Sequence, residues 1–163
     1  MYLRANRSET IKKAKMSFAN ISKTIDKLFV ESIMSKDLIT LKADSSLGLA
    51  DEIMRLKAIN HIPVVDNAGV LIGLVTGKDI IRSTCQTQKF RDTCLRQKMS
   101  EEMSVGDIMR GGLVTVTRDT LLTKAAKLMI EQGVGGIPVV DVSGVAVGIV
   151  TEKDFVNIIA KNN

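Results

Sequence analysis

The residues whose types and spacing most plainly allow chemistry are two copies of one short motif, Thr76-x-Lys78-Asp79 and Thr151-x-Lys153-Asp154. In each, a hydroxyl and a carboxylate stand three positions apart where an apolar stretch gives way to a helical pattern. There, free backbone N–H groups and the positive end of a helix can face an anion. The same spacing is close to a capping box, with Asp in the place of Glu, and needs no ligand to be useful. Lys78 and Lys153 are either anion-facing cations or exposed first-turn lysines. Catalysis is poorly served: with a single histidine, His61, no nucleophile–base–orienter set can be assembled. A zinc site lacks ligands as well, since Cys85 and Cys94 are nine positions apart without a C-x-x-C pair. The adjacent Glu101 and Glu102 read as a solvated charged face, and the role of the two cysteines stays open. Only 3% of the residues are aromatic and none is Trp, which argues against a site that stacks bases on rings.

The elements that must position these motifs come in duplicate. Laying residues 30–83 over 105–158 without a gap makes 21 of 54 aligned pairs identical, a self-similarity that defines a tandem repeat. In each copy a β-branched stretch (38–41; 113–116) reads as a strand. An acid–hydroxyl pair (Asp44-Ser45; Asp119-Thr120) suits a helix start, and helices are expected over 47–58 and 121–132, with Gly133 as a stop. A hairpin comes next in each copy, 62–66 with 70–76 and 137–141 with 145–151, turning at Asn67-Ala68-Gly69 and at Ser143-Gly144. A last helix begins near Thr76 or Thr151. The expected fold class is α/β, two β-α-β-β-α units packed about a pseudo-two-fold axis. The division is a leader (1–29), repeat one (30–83), a linker helical in part (84–104) and repeat two (105–160).

The net charge of +5 belongs to the leader, which holds seven basic and two acidic residues, while the remaining 134 residues hold sixteen of each. Within it Ile11, Ala14, Phe18, Ile21, Ile25 and Leu28 form a helical apolar seam. That seam is open to two uses, lying on its own domain or pairing in a dimer. Basicity confined to an arm does not favour nucleic acid, whose readers spread cations over a folded face. The opening lacks the apolar run of a signal peptide, and no apolar stretch is long enough to span a bilayer. With two thiols and no disulfide framework, a cytoplasmic location without membrane insertion is expected.

The two openings, VESIMSKDLITLKAD and VGDIMRGGLVTVTRD, and the two closings, HIPVVDNAGVLIGLVTGKD and GIPVVDVSGVAVGIVTEKD, together resemble a tandem pair of cystathionine-β-synthase (CBS) domains, the Bateman module. The resemblance covers about residues 30–160. It implies a cleft between paired units that binds an adenosine-containing ligand such as AMP, ADP, ATP or S-adenosylmethionine. On this resemblance, Asp79 and Asp154 accept hydrogen bonds from a ribose diol, as an acidic residue does in dinucleotide folds, with Thr76 and Thr151 beside them. The adenine walls are then Met34, Ile39, Thr40, Ile62 and Pro63 in one repeat and Met109, Val114, Thr115, Ile137 and Pro138 in the other. The dipeptides that the family turns toward the phosphates are Asn60-His61 and Gly135-Gly136. The glycines permit close backbone approach, and His61 is either a phosphate donor or a hydrogen-bonded strand-edge residue. Glu152 beside Lys153 adds negative charge there, favouring a monophosphate or other weakly charged adenosyl ligand.

The function expected on these grounds is that of a non-enzymatic, stand-alone regulatory module. It needs no cofactor, takes an adenosyl ligand as effector, forms a homodimer and signals to a protein in trans, no further domain being expected after Asn163. The competing expectation is a dimeric scaffold, or a nucleic-acid- or partner-binding protein, that acts through its basic leader.

Overall fold

The computed structural model describes residues 25–85 and 103–161. Most of the leader seam, most of the linker and Cys94 lie outside the described residues. Each repeat opens with one turn of 3₁₀ helix, Val30–Ser32 and Val105–Asp107, which the sequence patterns do not announce. The first continues with α1 (Leu47–Lys57), β1 (His61–Val65), β2 (Leu71–Thr76) and α2 (Gly77–Cys85). The second repeats the order with α3 (Leu122–Gln132), β3 (Gly136–Val140), β4 (Ala146–Thr151) and α4 (Glu152–Lys161). The chain is α/β, as expected.

The two expected hairpins are present. His61 pairs with Thr76 and Gly136 with Thr151, and each ladder carries an irregularity one residue before its turn. At each turn an aspartate side chain fixes the loop. Asp66 Oδ1 accepts from the N–H groups of Ala68 and Val70, Asp141 Oδ1 from those of Ser143 and Val145, all at 2.8–3.0 Å. Gly69 and Gly144 supply the positive φ that these turns require. The hairpin tips meet: Val70 bridges Val145, its own counterpart in the repeat alignment. A contact between equivalent positions is the mark of two-fold-related halves.

Three expectations need correction. The strands expected over 38–41 and 113–116 shrink to single bridges, Leu41 to Val64 and Val116 to Val139. The reason lies upstream. Ser35 is pinned to Ile149 by two backbone hydrogen bonds and Arg110 to Leu74 by two more, so the chain crosses a gap before it reaches β1 or β3. The helix starts also differ. Ser45 and Thr120 hydroxyls accept from Lys42 and Thr117 N–H and close the preceding turn. Ser46 caps α1 by accepting from Leu49 N–H, whereas Leu121 begins α3 without a side-chain cap. Carbonyls just ahead of the far repeat's opening serve at both helices: Met103 O accepts from Leu47 N–H and Leu28 O from Leu122 N–H, both at 2.9 Å.

Third, the units expected as contiguous stretches exchange their openings. Val30 and Met34 are buried with Leu122, Ala125, Met129, Ile137, Val139 and Val150. Val105 is buried with Leu41, Leu47, Ala50, Met54, Ile62, Val64, Val75 and Ile80, with Met109 packed alongside. The opening of each repeat thus completes the core of the other, and Ile25 and Leu28 accompany Val30.

One local difference between the copies has a measurable consequence. α3 ends at Gly133, left-handed at φ 62°; its counterpart after α1 is Ala58, left-handed at φ 52° with a Cβ to accommodate. Replacing Ala58 by Gly is expected to stabilise the protein by about 0.5–1 kcal/mol. Thermal melting should show the midpoint rising by a few degrees, and a fall would contradict the account.

Candidate functional site

β2 hands over directly to α2 at Thr76, and β4 to α4 at Thr151, so the first free N–H groups of each helix sit beside a hydroxyl and a carboxylate. Asp79 Oδ2 accepts from Thr76 N–H (3.0 Å) and Thr76 Oγ1 (2.6 Å), and Oδ1 accepts from Arg110 Nε (3.0 Å) and Nη2 (2.6 Å). In the second repeat Asp154 Oδ2 accepts from Thr151 N–H and Oγ1, both at 2.8 Å. Both motifs therefore cap their helices, and at that level they are alike. They differ in the guanidinium. Arg110 corresponds to Ser35 in the repeat alignment, and among the described residues Asp154 makes no ion pair.

Asp79 is 7% exposed, the one polar residue in the described core. Burial pushes its carboxyl up, yet the Thr76 hydroxyl, the Arg110 hydrogen bonds and charge and the Thr76 N–H together hold it below the ordinary carboxylate value. It is an ionised, fully engaged group.

Beside it a cleft of about 770 Å³ opens between the repeats, well within the size range of small-molecule sites. Of the expected site residues, Asn60, His61, Thr76 and Lys78 line it from the first repeat, and Val114, Gly135, Gly136 and Pro138 from the second. Asp79 joins through Arg110, which is also on the wall. Other expected residues lie elsewhere. Ile62 and Ile137 have no exposed surface and belong to the two cores; Pro63 is fully buried and off the cleft, and Pro138, at the wall, is buried to the same degree. Met34 lies against Gly148 of the second repeat and Met109 against Gly73 of the first, so each methionine walls the repeat opposite to the one expected. The exchanged openings are the reason. Ile39, Thr40, Thr115, Thr151, Lys153 and Asp154 are not on the walls of this cleft.

The glycine pair is already in use. A Cβ on Gly136 would lie 3.1 Å from His61 Cδ2 and 3.2 Å from Nε2, so the imidazole takes the space that a side chain there would need. Glu152 Oε2 would stand 3.3 Å from a Cβ on Gly135. Burial pushes the His61 imidazole below its ordinary value, the carboxylates of Glu152 and Asp79 pull it back up, and Lys78 adds to the lowering. Near neutral pH His61 is thus an uncharged ring bedded on two glycines.

Two charged wall residues escaped the sequence patterns: Arg82, one turn along α2 from Lys78, and Arg110. Arg110 stands out once the repeats are aligned, because it replaces a serine; Arg82 replaces Asn157 in the same way. Together with Lys78 they set three cations on the wall against the single acid Glu152. Arg110 is already paired with Asp79, so Lys78 and Arg82 are the wall cations left to face Glu152.

A family model described as CBS domain matches residues 30–84 and 105–161. A CBS domain-containing protein of Dictyostelium discoideum is 33% identical over 83% of this chain and 93% of its own length. A homoserine O-acetyltransferase of Methanococcus vannielii is 28% identical over 91% of the chain but only 28% of its own length. The chain thus spans nearly all of the first relative and about a quarter of the second. Among solved structures, the CBS domain pair of protein MJ0100 in complex with 5′-methylthioadenosine and S-adenosyl-L-methionine is 30% identical. It aligns with a TM-score of 0.69 over 80% of this chain and 98% of that one. CBSX2 in complex with AMP is 27% identical, with a TM-score of 0.66 over 82% of this chain and 96% of that one.

Proposed function

The chain belongs to the CBS domain family, and from that premise we propose that it is a regulatory module that binds an adenosine-containing ligand between its two repeats. The observation that carries this is the composition of the cleft. One wall holds Thr76 and Lys78 at a helix start in the first repeat; the other holds Val114, Gly135, Gly136 and Pro138 of the second. A phosphate suits the first wall, and the flat face of a purine, whose edge needs backbone hydrogen bonds, suits the apolar Val114 on the other. The solved relatives that carry S-adenosylmethionine, 5′-methylthioadenosine or AMP support the same class of ligand. The proposed ribose acceptors are Asp79, which reaches the cleft through Arg110, and its counterpart Asp154, which stands off these walls.

A ligand between two units acts by binding one arrangement of them more tightly than another. The module needs no catalytic group for that, and its output is passed to another protein. Ile81 on α2 and Val156 on α4 are more than half exposed, at equivalent places in the two repeats. Apolar side chains at such positions suit a second copy of the chain, so a homodimer is part of the proposal. Among the described residues no helix is long and apolar enough to cross a membrane.

The test is a thermal-shift titration of the full chain with AMP, ADP, ATP and S-adenosylmethionine, with GTP as a control. A ligand at about a hundred times its dissociation constant adds about 2.7 kcal/mol, several degrees for a chain of this size. A shift with at least one adenosine compound and none with GTP is the expected result. No shift with any of the four would sink the proposal and direct attention to the basic leader.

A further inference from the structure

We propose that Arg110 withholds Asp79 from a ribose diol, so that the two T-x-x-D aspartates are unequal and Asp154 is the one that takes the sugar of an adenosine-bearing ligand. This rests on the adenosine reading and adds a specificity residue to it.

A carboxylate offers about four lone-pair sites, and Asp79 has four donors on it: two N–H groups of Arg110 on Oδ1, and the N–H and hydroxyl of Thr76 on Oδ2. A vicinal diol brings two further donors. It can be seated only if Arg110 leaves, giving up two charge-assisted hydrogen bonds to one oxygen. The Thr76 bonds cannot be given up as easily, since they also cap α2. At Asp154 the two Thr151 bonds use Oδ2 alone, and among the described residues no donor is bonded to Oδ1. That oxygen, off the walls of the cleft beside Asp79, is where a diol can add its hydrogen bonds.

The backbone is the same at both places. Arg110 exchanges two hydrogen bonds with Leu74, and Ser35 exchanges two with Ile149, Leu74 and Ile149 being equivalent positions. The inequality therefore lies in one side chain, long and cationic at 110, short and neutral at 35. Arg110 itself is half exposed and outside both cores. With Asp79 neutralised, the cleft on that side presents the free edge of the guanidinium with Lys78 and Arg82, a surface for an anion and not for a diol.

The test is isothermal titration of the full chain with AMP and with S-adenosylmethionine, both of which carry the diol, against wild type, Arg110→Ser and Asp154→Asn. Wild type should show one tight site per chain and a second at least tenfold weaker. Arg110→Ser should bring the two within about threefold of each other, and its melting temperature reports that it folds. Asp154→Asn, which leaves both cores untouched, should remove the tight site and keep the weak one. Two equal sites in wild type, an unchanged second site in Arg110→Ser, or a tight site surviving Asp154→Asn would each overturn the proposal while leaving the adenosine reading intact. If neither compound binds any of the three proteins, the adenosine reading fails and this one with it.

Discussion

A chain beginning at Asp37 is expected to lose the second core, the one farther from the cut. Its missing residues include Val30, fully buried, and Met34, nearly so, both in the cluster around Leu122 and Ile137. Withdrawing two such side chains forfeits roughly 3–6 kcal/mol of burial. The hydrogen bonds of Val30 N–H to Thr120 O and of Leu122 N–H to Leu28 O go too, as does the Ser35–Ile149 pair, at about 1 kcal/mol each. Set against a total stability of about 5–15 kcal/mol, this is decisive. Hydrogen exchange locates the damage. Amides of Leu122–Gln132 and Gly136–Val140 should lose protection by at least about a hundredfold, the first repeat's α1 much less. A second truncation that removes only 1–24 isolates the contribution of 25–36. Full protection of α3 and β3 in the chain from Asp37 would refute the exchange of openings.

The second large effect is at Gly148. A Cβ there would stand 2.9 Å from the backbone oxygen of Ser35 and 3.0 Å from Met34 Sδ. The backbone oxygen cannot swing aside without breaking the Ser35–Ile149 hydrogen bonds. At Gly73, the equivalent position, the obstacle is the Met109 side chain, closest through its Sδ and 2.9 Å away at Cγ. A methionine can refold its thioether around a new methyl group. Gly148→Ala is therefore expected to cost about 2–3 kcal/mol, in the upper range for overpacking, and Gly73→Ala about 1 kcal/mol. Urea denaturation midpoints measure both. Equal losses, or a larger loss at Gly73, would show that backbone pinning is not what separates the two positions.

These effects turn on contacts that the sequence patterns hide, while much else was legible. The hairpins could be read because their signals are local. Asp66 and Gly69, or Asp141 and Gly144, specify a turn whatever surrounds it, and the flanking β-branched runs specify the strands. The T-x-x-D motifs were visible for the same reason. The exchange was not. Met34 and Met109 are identical residues in nearly identical surroundings, and Val30 and Val105 likewise, so the alignment that reveals the repeat cannot say which core each enters. The caps were missed because a carbonyl from a distant segment does a side chain's work at Leu122. Arg110 was visible as a mismatch with Ser35, but its meaning depends on the crossing, which alone brings residue 110 to Asp79. Val114, Gly135, Gly136 and Pro138 were identifiable as wall residues. Their joining with Thr76 and Lys78 in a cleft between the repeats came only with the resemblance, because the residues alone cannot show how two repeats fold together.

The exchanged openings also set a timetable. As the chain leaves the ribosome, the first hairpin and its two helices are complete once Cys85 has been made, but their core still lacks Val105 and Met109. At about 5–20 residues per second those residues emerge roughly one to five seconds later. Over that interval the β2 edge that Arg110 will cover is open to any passing strand, the exposure that leads nascent chains into wrong pairings. The earlier segment, Val30 to Met34, waits longer still for a core not yet synthesised. Neither half can finish before the other has begun: the first core can close once Met109 has emerged, the second only after Val150 has been made.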